Sequence, residues 1–424
     1  MAKLQTRMAQ LIPEWRQEIR TLVQTHGDTK ISDVTVAQAY GGMRGVKGMV
    51  CDTSEVPPDV GLLIRGTPIA ELADRTPEDV FYLLCTGEMP SSRDTRALQQ
   101  DLAERARVPA YVWRVLEAMP KDSHPMCMFD TAILAMERES KFRDAYYEGM
   151  NKLDYWKPTL EDSLDLIAKL PAIAAGIYRM RYRKGPRISP KKDLTWSQNF
   201  AHMLGIKDPD GEFAECMRLY LVLHCDHEGG NVSAHTCHLV GSALSNAYYS
   251  VSAALNGLAG PLHGLANQEC LKWILDLKKA VGQPTHENIR KFAWETLNSG
   301  QVVPGYGHAV LRVTDPRFTC FRDFGMKHFP DDPIMKTVNI VFEVVPDVLQ
   351  QHGKAKNPWP NVDAGSGALL YHYGIKEFSF YTVFFAVSRA LGMASQLVIN
   401  RAMATPIERP KSVTTTWIKK QVGA

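Results

Sequence analysis

A chain of 424 residues is too long for one ordinary hydrophobic core, so two domains are expected. Hydrophobic residues make up 45% and charged residues 22%, which excludes a disordered chain, and a net charge of +3 gives no electrostatic case for a nucleic-acid partner. Eight cysteines at positions 51, 85, 127, 216, 225, 237, 270 and 320 form no CxxC pair, a pattern of reduced thiols in an intracellular protein.

The N-terminus has neither a signal-peptide hydrophobic run nor the Ser- and Arg-rich, acid-poor character of a transit peptide, which leaves room for Met1 to begin an already trimmed form. Trp15, Ile19, Leu22 and Val23 share one face of a helix expected to start at Pro13 and stop at Gly27. Strand signal is sparse. The region Val34 to Arg65, punctuated by Gly41-Gly42, Pro57-Pro58 and Gly61, predicts one small sheet or hairpin and little else. Thr159 and Asp162 form a weak capping box at a helix start, and Pro171 should kink the helix that follows. Ile289, Phe292, Ala293 and Leu297 make an apolar stripe ended by Gly300, and Ile334 to His352 is a helix with a kink at Pro346. The apolar helix Phe380 to Ile399 carries Arg389 in its middle, so no uninterrupted apolar run has membrane-spanning length and no span is expected. The C-terminal Val422-Gly423-Ala424 is not a peroxisomal address. The fold class is all-α with a small N-terminal β element.

Glycine and proline thicken around 256–268, 300–308 and 353–367. Those loops hold His263, His308 and Asp363, each set where glycine admits a ligand close to the backbone and proline stiffens the loop. Any one of them alone is more often an ordinary loop polar group. Together they mark a candidate site without naming a reaction. Arg389, inside an apolar helix, needs an anionic partner, either a carboxylate elsewhere in the chain or one on a substrate. Arg317 and Arg409 are further forked donors suited to carboxylates, Arg409 on an extended arm. The run from His224 through His227 and His235 to His238 has two HxxH pairs, but the spacing fits no reliable metal signature, and no metal is assigned. The basic run Arg179 to Lys192 reads as a solvated helix end and loop, with phosphate or RNA binding as the alternative. Gly41 to Gly48 is neither a dinucleotide fingerprint nor a P-loop.

Seven segments together resemble the citrate synthases, of the kind found in eukaryotic mitochondria. They are Gly41-Gly-Met-Arg-Gly-Val-Lys-Gly48, Asp226-His-Glu-Gly-Gly-Asn-Val-Ser-Ala-His235, Asn256 to Ala266, Leu297 to His308, Gly353 to Asp363, Ser388-Arg-Ala390 and Glu408-Arg-Pro-Lys411, in order along residues 10–412. The resemblance implies a two-domain helical homodimer: a large domain of residues 1–265 plus 374–424, and a small domain of 266–373 that closes over oxaloacetate and so creates the acetyl-CoA site. It further implies Asp363 as general base, His263 as donor to the thioester oxygen, and His308 as donor to the oxaloacetate carbonyl. His227, Arg317 and Arg389 would hold oxaloacetate, with Arg409 reaching in from the partner chain. For acetyl-CoA, a cosubstrate rather than a tightly bound cofactor, it points to Val303, Gly305, Gly307, Lys354, Lys356 and Asn361, with Arg44 as a phosphate contact from the other chain. Neither nucleic acid nor membrane is implied, and the compartment would be the mitochondrial matrix. One departure stands out: many relatives carry histidine two residues after the aspartate, where this chain has Gly365. The nearest rival is a 2-methylcitrate synthase using propionyl-CoA, since one methylene is worth only about 1–3 kcal/mol of discrimination. A non-catalytic helical dimer binding CoA or a metal is the rival from another class.

Overall fold

Five helices begin with a reciprocal cap in which a Ser or Thr side chain accepts the third backbone N–H and that residue's side chain reaches back: Thr35 with Gln38, Thr76 with Asp79, Ser91 with Asp94, Thr195 with Gln198 and Thr285 with Asn288. These caps start part of an almost entirely helical chain, seen in a computed structural model that describes residues 3–308 and 310–424. The strand content among the described residues is one antiparallel sheet of β1 (Ser54–Glu55), β2 (Leu63–Ile64) and β3 (Thr67–Pro68), in that order. Ser54 pairs with Ile64 and Ile64 with Thr67. The sheet falls at the end of the segment the sequence marks for it. Val36–Tyr40, also in that segment, is a capped helical turn instead.

The helix Tyr381–Ala402 is the centre of the first group of helices. It packs against Pro77–Thr86, Trp156–Arg181, Glu212–Leu223, Val232–Ser242 and Ala247–Leu258. It is long and apolar enough to cross a membrane, but 94% of its apolar window is buried inside the protein, so it is a core helix. A second group, Ala266–Val281, His286–Asn298, Pro316–His328, Pro333–His352 and Asp363–His372, packs largely on itself, with Asp363–His372 touching three of the other four.

Two local expectations are corrected. The first helix runs from Lys3 to His26 straight through Pro13. It buries Leu4, Met8 and Ile12, whereas Ile19, Leu22 and Val23 are exposed. Thr159 lies inside the helix Trp156–Arg181, its hydroxyl bonded back to the Tyr155 carbonyl. Its supposed capping partner, Asp162, is buried and accepts from Ser140 Oγ (2.6 Å) and the Lys141 amide (2.7 Å) on another helix. Pro171, inside the same helix, removes the amide that would bond the Ile167 carbonyl. The helix continues unbroken because the Trp196 indole N–H takes that carbonyl at 3.0 Å. A tertiary bond thus replaces the missing helical one. Pro346 likewise lies inside an unbroken helix.

Trp196→Phe keeps an aromatic ring, though a smaller one, and leaves the Ile167 carbonyl unsatisfied, so a loss of at least about 1–3 kcal/mol of stability is expected. Chemical denaturation measures it, and an unchanged midpoint would show that the proline gap needs no outside donor.

Candidate active site

Two loops are stitched into an antiparallel seam. Tyr306 bridges Pro360, the Gly307 amide donates to the Trp359 carbonyl (3.0 Å), and the Asn361 amide donates to the Gly305 carbonyl (2.9 Å). Gly305 has φ +79°, and a Cβ there would lie 2.8 Å from Cys270 Sγ and 2.9 Å from Ala364 Cα, so no other residue fits. The Asn361 side chain closes the seam at both ends: Nδ2 donates to the Gly307 carbonyl (3.0 Å), and Oδ1 accepts the Asp363 amide (2.9 Å). One loop ends in His308 and the other runs into Asp363, so the seam fixes these two groups relative to each other.

Asp363 is the first residue of the helix Asp363–His372. Burial raises its carboxyl to about 6, against the opposing pull of Arg317 and Arg389. His308 Nδ1 accepts the amides of Val310 (3.0 Å) and Leu311 (2.9 Å), which puts the ring proton on Nε2. Burial, then Arg317, draws its pKa down to about 4, so the ring is neutral. His263 is drawn to about 4 by burial and Arg389, and its Nε2 sits against Ser233, 2.9 Å from Oγ and 3.4 Å from the amide. The ring of His227 lies 5.5 Å from that of His308. Its Nε2 is buried without a hydrogen-bond partner, and burial with Arg317 and Arg389 holds the imidazole well below its usual range.

The two buried arginines differ. Arg389 is 2% exposed, donates Nε to the His224 carbonyl (3.0 Å) and stacks over Phe385 at 4.7 Å. Among the described residues no carboxylate forms a salt bridge with it, and burial pulls its pKa to about 10. Arg317 already has a carboxylate: Nη2 lies 2.6 Å from Asp315 Oδ2 and Nε 3.0 Å from Oδ1. Its charge is therefore shared before any ligand arrives.

Asp226 anchors the His224–His227 segment. It accepts from Thr53 Oγ1 (2.6 Å), Ser54 Oγ (2.8 Å) and Gln396 Nε2 (2.8 Å), tying the small sheet to the core helix. Gly392 lets the helix approach, since a Cβ there would be 2.4 Å from Asp226 Oδ1. Sequence reasoning did not single out Asp226, Asp315, Ser233, Phe385 or Gly392. Of these only Gly392, a glycine inside an apolar helix, carries a local signal.

The four histidines of the HxxH pairs part company. His224 is stacked on Tyr220 in the core, His227 is in the cluster above, and His235 and His238 face Glu408. No metal-holding group of three occurs among the described residues. The basic run is mostly stitching: Arg179 caps the Leu204 carbonyl, Arg181 the Ser123 carbonyl, Lys184 pairs with Glu377 and Arg187 with Glu117. Arg44, Lys354, Lys356 and Arg409 are exposed and join no salt bridge among the described residues, while Val303 is buried. Gly365 is buried, and a Cβ there would press on the Phe318 ring at 3.3 Å.

An all-helical frame presenting a desolvated carboxylate, neutral imidazoles and a buried guanidinium lacking an anion has the parts for proton abstraction beside a carboxylate-bearing ligand. Comparison with known proteins names the class. The family described as citrate synthase, C-terminal domain, matches residues 42–411. The mitochondrial citrate synthase of Saccharomyces cerevisiae is 51% identical, covering 99% of this chain and 89% of that protein. The chain is similar in structure to citrate synthase from Pyrobaculum aerophilum (28% identity, TM-score 0.79, covering 88% and 92% of the two chains). A Thermoplasma acidophilum citrate synthase, solved with carboxymethyl coenzyme A and oxaloacetate, shares the fold (20% identity, TM-score 0.77, covering 91% and 96%). The chain belongs to the citrate synthase family.

Asn361→Ala should unpin Asp363 from the His308 loop, and steady-state kinetics should show turnover falling about tenfold to a hundredfold, the scale of a misplaced reacting group. A raised KM for acetyl-CoA with turnover intact would instead make Asn361 the coenzyme contact that the resemblance implies.

Proposed function

We propose that the chain condenses acetyl-CoA with oxaloacetate and hydrolyses the resulting citryl-CoA to citrate and CoA, in mitochondria like the yeast relative named above. The observation that carries this reading is Arg389, a buried guanidinium without a carboxylate of its own, acting on the same cluster as the desolvated Asp363. Oxaloacetate would bring the missing anion. His227, whose Nε2 lacks a partner, and Arg317 would complete its binding.

Asp363 takes a proton from the acetyl methyl group. The methyl is a very weak acid, so the base must act together with a donor to the thioester oxygen. His263 fills that role from Nδ1 when its Nε2 accepts the Ser233 amide. The carbon of the enolate, whose oxygen His263 hydrogen-bonds, then attacks the oxaloacetate carbonyl; the new alkoxide takes the proton from His308 Nε2, and the proton held by Asp363 passes back to His308. Neutral imidazoles serve here because neither adds a buried charge. Water finally cleaves the thioester.

The two groups of helices would be the large domain (1–265 with 374–424) and the small domain (266–373), closing on oxaloacetate before acetyl-CoA binds. Backbone of the 302–308 and 353–361 loops would line the coenzyme, with Lys354, Lys356 and a partner's Arg44 near its phosphates. The exposed Arg409 is read as reaching the site of a second copy. No tightly bound cofactor is required by this chemistry.

Purified protein with oxaloacetate should release free CoA thiol faster from acetyl-CoA than from propionyl-CoA. A propionyl preference would assign 2-methylcitrate synthesis to the same residues, and no release from either by folded protein would overturn the reading.

Since Asp363 must be ionised to act and its pKa is about 6, kcat/KM for acetyl-CoA should fall as pH drops through that value and level off above it. His263 and His308, at about 4, stay neutral across the limb. A profile flat through pH 6 would remove Asp363 as the base.

A further inference from the structure

His235 and His238 are left over from the histidine-rich segment once His227 is placed in the site. They lie one turn apart on the helix Val232–Ser242, and both face a single carboxylate. His235 Nε2 is 2.9 Å from Glu408 Oε1, and His238 Nε2 is 3.3 Å from Oε2. Asn400 Nδ2 lies 2.7 Å from His238 Nδ1. The amide can only donate, so the ring proton sits on Nε2, on the side of Glu408 Oε2, which is near in distance but has no hydrogen-bond partner. The backbone of the same residue is held as well: the Glu408 amide donates to Ser242 Oγ at 3.0 Å, and Ser242 Oγ donates to the Leu239 carbonyl. Both the side chain and the main chain of Glu408 are thus fastened to one helix. Pro410 stiffens the chain just beyond, and Arg409, between them, is exposed.

We propose that His235, His238 and Ser242 clamp Glu408 in order to aim Arg409, making Glu408 and the two histidines positioning residues for oxaloacetate binding. The inference rests on the reading that Arg409 serves the partner's site. Consecutive Cα atoms are about 3.8 Å apart, so fixing Glu408 confines the root of the Arg409 side chain to that radius. A long arginine on a loose arm would lose rotamer and backbone freedom on reaching a ligand; the clamp removes most of the backbone part beforehand. The same helix begins with Ser233, which seats His263. The aim of Arg409 and the seat of His263 are therefore set by one rigid element.

The test is a double-mutant cycle on the full-length protein, with dimer mass and melting temperature as folding controls. Glu408→Ala is expected to raise the KM for oxaloacetate about tenfold, the scale of losing one hydrogen bond to a charged group, with the KM for acetyl-CoA unchanged. Glu408→Gln, which keeps an oxygen for His235, should recover most of the loss, and the milder His235→Ala should move the same constant in the same direction. In an Arg409→Ala background, Glu408→Ala should add nothing, because its effect passes through that arginine. Full additivity, or an unchanged oxaloacetate KM in Glu408→Ala beside a raised one in Arg409→Ala, would overturn the clamp alone. An unchanged oxaloacetate KM in Arg409→Ala itself would overturn the parent reading of that residue, and the clamp with it.

Discussion

A guanidinium buried in an apolar helix without a carboxylate is the constraint from which the rest of this site follows. Taking such a charge out of water is tolerable only where something compensates it. Within the chain Arg389 has a carbonyl from His224 and the face of Phe385; the Asp226 and Asp363 carboxylates act on its charge, but neither forms a salt bridge with it among the described residues. The surroundings are arranged to keep it in place. Ser388, beside it, bonds the Leu221 carbonyl, and Gly392, one turn on, lets Asp226 come close. Asp226 in turn holds β1 through Ser54, whose hydroxyl also takes the Glu228 amide. The smallest element of the fold is thus fastened to the segment that carries His227.

The second organising device is the loop seam. Its glycines are conformational necessities: Gly305 and Gly307 have φ +79° and +91°, and Gly305 has no room for a side chain. Rigidity comes from the hydrogen bonds across the seam, to which the Asn361 side chain adds one, to the Gly307 carbonyl, while holding the Asp363 amide on its own loop. Removing a proton from a weakly acidic substrate needs a base and a proton donor placed together, so under the proposed roles of Asp363 and His308 the seam answers a chemical requirement with backbone geometry.

Much of this was legible in the sequence where the signal is local. Arg389 declares itself as a charge inside an apolar helix. The loops holding His263, His308 and Asp363 are marked by glycine and proline, and the long helices by their stripes. What was not legible depends on partners distant in the chain. Asp162 looks like a cap for Thr159 until Ser140, 22 residues upstream, takes it. Pro171 announces a missing helical donor but not that Trp196, 25 residues further on, supplies one. Arg317 looks like a free anion receptor, and the carboxylate that shares its charge is two residues away, where spacing alone gives no sign of a buried pair. The first helix fails differently. Leu4, Met8, Ile12, Trp15, Ile19 and Leu22 form one continuous stripe, of which only the first part meets the chain's own core. Periodicity reports that a face is apolar and not where the surface beneath it ends.

The charges of the cluster bear on the proposal that a partner chain's Arg409 completes the site. Within it stand two guanidiniums, Arg317 and Arg389, and three carboxylates, Asp226, Asp315 and Asp363. The imidazoles of His227, His263 and His308 are neutral near pH 7, so they contribute direction without charge. With Asp363 ionised, as the proposed role of base requires, the carboxylates outnumber the guanidiniums by one. A ligand with two carboxylates would add to that excess of negative charge in a desolvated space, which is costly. Protonating a histidine would reduce the excess but would change that ring's proposed role as a neutral donor. Protonating Asp363 would remove the base. The compensation compatible with the proposed chemistry is a cation from outside the cluster. On this reading Arg409, exposed in its own chain and set beside a clamped Glu408, is suited to supply that charge to a partner's site and to make the pairing of two chains a requirement of the reaction.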